Sequence, residues 1–166
     1  PEPKGAMNVD PKTLPGILLD DAQAALQGPW SRSSGFKPYI GTGYLHDDKR
    51  GDGQSIAVFS FKALKTGHYE LRMAYSPHET RATKVPVTIQ CSGRKTDITV
   101  DQTQPLAAGE AFRTIGSVQL DDGVETTITI SNAQPTSHLL IWISTLGNVD
   151  GKSKTDISSV VVKAAA

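Results

Sequence analysis

Residues 29–53 hold the side chains in this sequence whose types and spacing are best suited to chemistry. The stretch reads PWSRSSGFKPYIGTGYLHDDKRGDG and contains four of the ten aromatic residues of the chain. An aromatic ring can pack against the C–H face of a sugar while polar groups at its edge bind the hydroxyls. The stretch therefore predicts a carbohydrate-binding loop. Its candidate ligand contacts are Trp30, Tyr39, Tyr44, His46 and Arg50.

A second polar cluster occupies residues 75–83, between two strand-like patterns. A hairpin can turn in two to five residues, so this connection is longer than the geometry requires. His78 and Arg81 are its candidate contacts to a hydroxylated or anionic ligand. In the alternative interpretation, the aromatic side chains of residues 29–53 pack the loop onto the core, and residues 75–83 form a hydrogen-bonded, solvated loop.

Catalytic and metal-binding motifs match poorly. The segment Gly53-Gln54-Ser55-Ile56-Ala57 imitates a nucleophile elbow but leads into a strand pattern rather than a helix. No second histidine follows His46 or His78 at the spacing of a zinc protease. We therefore predict no enzymatic activity and no cofactor. A structural calcium ion remains open, with Asp20 or Asp21 as candidate ligands.

The elements that must position these groups are strands. Apolar and polar residues alternate, with β-branched side chains, over much of the chain, and turn signals separate the runs. This pattern predicts an all-β fold, an antiparallel β-sandwich. Residues 21–27 are the one helix candidate, and Pro86 inside a strand pattern predicts an edge strand or a bulge. The predicted strands are residues 55–62, 68–75, 84–91, 94–101, 112–120, 124–132, 137–146 and 157–163.

Composition limits the possible partners. The chain has 166 residues, with 17 basic and 17 acidic side chains, so its formal net charge is zero. A nucleic-acid-binding protein normally has a basic excess, and the short apolar runs predict no membrane insertion. A single cysteine excludes an internal disulfide. We expect residues 1–13 to be a flexible N-terminal arm or linker and residues 14–166 to form a single β-sandwich domain. Because the chain begins with Pro1, we expect it to be a module of a larger protein.

The sequence resembles the golvesin C-terminal-like domain, a module also found at the end of xanthan lyases, from about residue 14 to residue 143. The resemblance implies a jelly-roll-like β-sandwich of the carbohydrate-binding-module type, itself non-catalytic and attached to secreted or cell-surface bacterial enzymes. The family usually ends on a small-Asp-Ala-Val strand, whereas this chain has Leu139-Leu140-Ile141-Trp142-Ile143. The segments that carry the resemblance are Asp20-Asp21, Gly28-x-Trp30-Ser31, Tyr44-x-His46-Asp47, Gly67-x-Tyr69-Glu70-x-Arg72, Arg81-Ala82-Thr83-x-x-Pro86-Val87, Asp101-Gln102, Ile115-Gly116 and Ile130-Ser131-Asn132.

The leading hypothesis from the sequence is a carbohydrate-binding module that holds a larger extracellular or cell-surface protein near a polysaccharide. The basic groups around the aromatic loop favour an acidic polysaccharide. Host enzyme domains are the expected covalent neighbours. The alternative from another class is a structural or protein-interaction module that packs on a neighbouring domain. It predicts a contiguous exposed apolar patch rather than an aromatic groove, and burial of Trp30, Tyr39 and Tyr44 in the core would favour it.

Overall fold

The protein is described here by a computed structural model. It describes residues 13–37, 39–131, 140–145, 147–149, 152–154, 156–158 and 161–163. The arm expected at residues 1–13 lies outside the described residues, except for Thr13. The ends of the strand predicted at residues 137–146 also lie outside them.

Strands dominate the described residues. A single 3₁₀ turn, Asp21–Gln23, lies between the first two strands. The strands in chain order are β1 (Ile17–Leu19), β2 (Ala25–Gln27), β3 (Ser31–Ser33), β4 (Tyr44–His46), β5 (Ile56–Lys62), β6 (Gly67–Ala74), β7 (Val85–Cys91), β8 (Arg94–Val100), β9 (Arg113–Leu120), β10 (Glu125–Ser131), β11 (Leu140–Thr145), β12 (Gly147–Val149), β13 (Lys152–Lys154), β14 (Asp156–Ser158) and β15 (Val161–Lys163).

Two antiparallel sheets form the sandwich. One has the strand order β1-β11-β6-β9 and the other the order β2-β5-β10-β7-β8. The all-β antiparallel sandwich predicted from the sequence is therefore confirmed. Three two-stranded ribbons accompany the sheets: β3 with β4, β12 with β13, and β14 with β15. The last ribbon replaces the single strand predicted at residues 157–163.

The core lies between the sheets because alternate residues of each strand point inward. In β6 the core residues Tyr69, Leu71 and Met73 are buried, as the alternation predicted, but the other face of this strand, with Glu70 and Arg72, is buried too. From the other sheet, Phe59 and Ile128 join the core. Each fully buried side chain of this size contributes roughly 1.5–3 kcal/mol by leaving water. Burial of these alternate residues therefore fixes the register of the sheets.

The helix predicted at residues 21–27 is wrong. Asp20 and Gln23 close a capping box around one 3₁₀ turn: the Asp20 carboxylate accepts from the Ala22 amide, and the Gln23 side chain accepts from the Asp20 amide. Ala24 is already extended, and β2 then pairs with β5. Two helical turns are marginal on their own, so this pairing overrides the helix propensity of the alanines.

Pro86 lies in an interior strand, which corrects the prediction of an edge strand. Strand β7 sits between β10 and β8, and Pro86 pairs with Thr99 of β8. The ladder to β10 begins only at Val87. Proline has no amide hydrogen to donate. Because Pro86 lies one residue beyond the ladder to β10, the sheet loses no hydrogen bond to that strand.

Two glycines with the same backbone conformation separate the effect of local crowding from that of backbone strain. Gly28 has φ of 77° and Gly53 has φ of 75°, both in the left-handed region. A Cβ atom at Gly28 would lie 2.2 Å from the carbonyl oxygen of Gln54, whereas none of the described atoms lies within 4 Å of one at Gly53. The two sites therefore differ mainly in packing.

We expect Gly28→Ala to lower the free energy of unfolding by about 2–5 kcal/mol, from backbone strain plus the clash. Gly53→Ala is the matched control and should cost only about 1–2 kcal/mol, since strain alone applies. Urea unfolding of both variants measures the difference. Equal losses at the two positions would contradict the close approach at Gly28.

Candidate functional site

The loop between β2 and β5 is closed at its neck by hydrogen bonds between its two ends. Gln27 pairs with Ile56, and the Ser55 hydroxyl donates to the Pro29 carbonyl at 2.8 Å. The Trp30 indole nitrogen donates to the carbonyls of Gln27, at 3.1 Å, and Ile56, at 3.3 Å. The Trp30 ring packs against the core, half-buried. Trp30 therefore holds the base of the loop.

Within the loop, β3 and β4 form a ribbon that presents two aromatic rings. Ser33 pairs with Tyr44, and Ser31 pairs with His46. Tyr44 and His46 are two residues apart on β4, so their side chains share one face. Their ring centroids are 5.9 Å apart. Tyr44 is buried and His46 is half-buried. The polar imidazole of His46 is therefore the part of this face that solvent reaches.

Asp47 shapes the turn that follows β4. Its side chain is buried and accepts the amide hydrogens of Lys49, at 3.1 Å, and Gly51, at 3.3 Å, while its carbonyl accepts from Arg50. Asp48 and Lys49 both have left-handed φ, 53° and 61°. Such conformations cost about 1–2 kcal/mol in a residue other than glycine. The hydrogen bonds to Asp47 offset this cost and fix the turn.

The Asp48 carboxylate is engaged by the ribbon. It accepts the Ser31 hydroxyl at 2.6 Å, and its other oxygen lies 3.1 Å from Nδ1 of His46. The same Nδ1 is 3.3 Å from the Asp48 amide nitrogen. These two contacts are alternatives, because a neutral Nδ1 accepts from the amide and a protonated Nδ1 donates to the carboxylate. In both cases Asp48 and His46 hold one another in place.

Across from this turn, Phe36 stands partly open to solvent, with 54% of its surface exposed. The Arg81 guanidinium carbon lies 5.2 Å from the centre of the Phe36 ring, and the His78 ring lies 6.0 Å away at 51°. The Ser76 hydroxyl donates to the Phe36 carbonyl at 3.2 Å. Phe36 is thus held as an accessible plate by the segment at residues 76–81.

These groups enclose a cavity of about 290 Å³, here called the loop cavity. Its walls are β4, the turn after it, Phe36 and the start of the segment that leads to β7. A neighbouring cavity of about 220 Å³ shares Ser33 and Tyr44 with it. The loop cavity is lined by Ser33, Phe36, Tyr44, His46, Asp47, Asp48, Lys49, Thr80 and Arg81.

The loop cavity brings together three of the seven candidate contacts, Tyr44, His46 and Arg81. The other four lie outside its lining. Trp30 anchors the loop, Tyr39 is half-buried 6.3 Å from Tyr44, and Arg50 and His78 are exposed. Whether any of the seven contacts a ligand stays a prediction.

Sequence reasoning did not single out Phe36, Lys49 or Thr80 as ligand contacts. Phe36 belongs to the aromatic stretch at residues 29–53, and that aromatic content was the feature of the sequence that could have identified it as a ligand contact. Nothing in the sequence pattern places residue 36 beside residue 81, because their contact depends on how two loops meet. Thr80 is positioned by His78, whose Nδ1 lies 2.8 Å from the threonine hydroxyl.

The carboxylates proposed for calcium have protein partners. Asp20 caps the 3₁₀ turn, and Asp21 lies 3.3 Å from the Arg32 guanidinium. In the part of the chain that the structure describes, no three His, Cys, Asp or Glu side chains cluster as a metal site would require. A calcium ion held partly by backbone carbonyls stays a prediction. Among the described residues, no helix has the length and apolar character needed to span a bilayer.

Asp21 lies under the ribbon and has an unusual proton affinity. Burial, reinforced by the charge of Asp20, raises the pKa of the Asp21 carboxyl from 3.8 to about 6, while Arg32 and a hydrogen bond from the Leu45 backbone act in the opposite direction. Arg32 is mostly exposed, so solvent screens its charge. The Asp21 side chain is only 8% exposed, and this burial is the main cause of the raised pKa.

The fold and the sequence now define the family. Residues 17–142 match the Golvesin C-terminal domain, and the chain belongs to that family. The resemblance inferred from the sequence is therefore confirmed.

Solved structures share the jelly-roll sandwich. Paenibacillus xanthan lyase matches with a TM-score of 0.68 and 22% identity over 78% of this chain, which spans 13% of the lyase chain. A family 35 carbohydrate-binding module from Clostridium thermocellum matches with a TM-score of 0.57 and 13% identity, covering 78% of this chain and 97% of that module. Another, Xyl-CBM35, solved in complex with a disaccharide containing glucuronic acid, matches with a TM-score of 0.54 and 14% identity, covering 78% and 93%. At these identities the similarity establishes a common fold.

Asp21 should make stability fall as pH rises from about 4 to 7. Its folded pKa exceeds the unfolded one, so its contribution is fully present below 3.8 and is lost through about 6. The size is on the order of 1–3 kcal/mol. Relative to Asp21→Asn, the wild-type chain should therefore lose stability over this range in urea unfolding.

Asp97→Asn is the control for this titration. Hydrogen bonds from the Thr88 hydroxyl and Lys95 hold the pKa of Asp97 below its usual range, so its effect should appear only as pH falls below about 4. A flat difference between wild type and Asp21→Asn from pH 4 to 7 would contradict the raised pKa of Asp21.

Asp47 should be required for an ordered turn at residues 47–51. Asp47→Ala leaves two backbone amides without their acceptor, and we expect a loss of about 1–3 kcal/mol in the free energy of unfolding. Hydrogen exchange at the Lys49 and Gly51 amides should accelerate. Asp52→Ala, which removes an exposed carboxylate that accepts from the Gln54 amide, is the control and should change these two amides little.

Proposed function

We propose that this chain is a non-catalytic carbohydrate-binding module of a larger secreted protein and that the loop cavity is its polysaccharide site. The observation that carries the proposal is Phe36, an exposed ring held by Arg81 and His78 at the edge of the loop cavity. An exposed aromatic plate beside hydroxyl and charged groups has the two kinds of surface that a sugar ring needs.

The lining groups suit hydroxyl recognition. Ser33 and Thr80 offer hydroxyls, and Lys49 and Arg81 offer charged donors. Ser33 and Tyr44 line both the loop cavity and its neighbour, so the two cavities are adjacent. With a volume of about 290 Å³, the loop cavity lies at the small end of ligand pockets and fits a short segment of polysaccharide.

The arrangement of carboxylates favours binding over catalysis. Glycoside hydrolysis needs two carboxyl groups free to act on either side of the scissile bond. Here Asp47 is buried and accepts backbone amides, and Asp48 is held by Ser31 and His46. Both carboxylates therefore serve to order the turn, which supports a non-catalytic role.

The family and its structural neighbours support the same proposal. Related folds occur as a segment of a xanthan lyase and as family 35 carbohydrate-binding modules, one of which was solved with a disaccharide. By analogy, the partners of this chain are a polysaccharide outside the cell and host enzyme domains in the same polypeptide.

The expected affinity is weak. A shallow site buries little surface and must still offset the entropy lost on association, so the dissociation constant should lie on the order of micromolar to millimolar. Such affinity suffices for a module whose host enzyme has many sites along one polymer, because tethering raises the local concentration.

A docking module is the second candidate, and one observation bears on it. Burial of Trp30, Tyr39 and Tyr44 in the core would favour that alternative, whereas Tyr44 alone is buried and the other two are half-buried. Of the large apolar side chains that are exposed among the described residues, Leu64 and Val124 adjoin the hydrogen bond from the Gly123 amide to the Ala63 carbonyl, while Leu26 and Phe36 lie on other segments. A docking surface would need a contiguous patch.

Affinity electrophoresis and calorimetry against neutral, uronic and sulfated polysaccharides test the proposal. We expect at least one polysaccharide to bind, and Phe36→Ala to weaken that binding about tenfold through loss of the stacking plate. Leu64→Ala removes an apolar side chain that is 83% exposed and does not line the loop cavity, so it should bind as wild type does. A folded chain that binds no polysaccharide would favour the docking alternative.

A further inference from the structure

We propose that the loop cavity selects an acidic sugar and that Arg81 binds its carboxylate. This inference rests on the proposed function and names the class of glycan within it. It follows from the way charge and hydrogen-bonding capacity are distributed around the cavity.

Backbone hydrogen bonds fix the position of Arg81, and one nitrogen of its side chain lacks an acceptor in the described part of the chain. Its backbone amide donates to the His78 carbonyl at 3.0 Å, and the next residue, Ala82, accepts from the Gln102 amide at 2.9 Å. The guanidinium stacks over Phe36. Its Nε is buried and has no hydrogen-bond acceptor among the described residues. Burying a donor without an acceptor destabilises the fold, so an acceptor brought to this edge of the guanidinium is favoured.

The acidic groups of the cavity are engaged and the basic groups are not. Asp47 accepts backbone amides, and Asp48 accepts from Ser31 and contacts His46. Among the ion pairs of the described residues, none involves Arg81 or Lys49. These four, together with His46, are the titratable or charged groups that line the cavity apart from the tyrosine. Lys49 and Arg81 are therefore the charged donors of the lining that have no carboxylate partner among the described residues.

The chemistry of the guanidinium favours a carboxylate. Its planar fork matches the two oxygens of a carboxylate, and charge-assisted hydrogen bonds of this kind are about twice as strong as neutral ones. The Phe36 ring lies next to the same guanidinium and offers an apolar surface for the ring of the sugar. A uronic acid carries both groups on one residue, which is why we infer this class of ligand.

The test compares acidic polysaccharides with chemically matched neutral ones. The full chain is titrated with polygalacturonate, alginate and glucuronoxylan, each against its carboxyl-reduced form, and with dextran sulfate. We expect at least one uronic polysaccharide to bind 10- to 100-fold more tightly than its reduced form, as roughly expected for charge-assisted hydrogen bonds. That preference should shrink as salt rises.

Variants then locate the preference. Arg81→Gln should abolish the difference between acidic and reduced forms while leaving the reduced form within about threefold, and Arg81→Lys should keep only part of it because the fork is lost. Lys62→Gln makes the same charge change on β5, outside the cavity lining, and should keep the full preference. Circular dichroism checks that each variant is folded.

The outcomes separate the two proposals. Binding of acidic and reduced forms with equal affinity, lost in Phe36→Ala, would overturn the acidic preference and leave the carbohydrate site standing. Stronger binding of dextran sulfate than of every uronic polysaccharide, or equal weakening of both forms by Arg81→Gln, would also overturn the carboxylate assignment. Absence of binding to any polysaccharide would overturn both.

Discussion

The loop cavity depends on the closure of one neck, where the chain leaves the sandwich after β2 and returns at β5. Gly28 lets two backbone segments approach so closely that a side chain would clash with the Gln54 carbonyl. Ser55 and Trp30 then bind carbonyls across the gap. Closing a long loop costs entropy that grows only slowly with its length, so a few fixed contacts at the neck can sustain a large excursion. Trp30 thus serves the site from outside it.

Strands were predictable from the sequence where one face is buried, and unpredictable where pairing alone defines them. β7 and β10 alternate over seven residues, and burial of one face holds that pattern to one register. β2, β3 and β4 are three residues long, too short to show a period. The alanines before β2 favour a helix in isolation, and only the pairing with β5 makes them extended.

The candidate site was predictable to the same degree. Composition singled out residues 29–53 and 75–83, the two segments that line the loop cavity, because aromatic residues are rare in structureless loops. Composition could not say which rings face a cavity. Tyr44 and Tyr39 look alike in sequence, yet only Tyr44 lies on a strand of the ribbon. The contact between Phe36 and Arg81 joins two segments far apart in sequence, and no local pattern encodes it.

The net charge of zero does not show that the acidic and basic groups at the loop cavity have different hydrogen-bond partners. A count of the lining residues gives Lys49 and Arg81 against Asp47 and Asp48, a balance that predicts no field. Hydrogen bonding distinguishes the acidic pair from the basic pair. The two carboxylates accept hydrogen bonds from amides and a hydroxyl, and these bonds order a turn in which successive residues have left-handed φ. Arg81 rests on an aromatic ring, a surface that a weakly hydrated guanidinium accepts without giving up its donors. The same carboxylates that order the turn thus leave the basic groups as the ones available to a ligand.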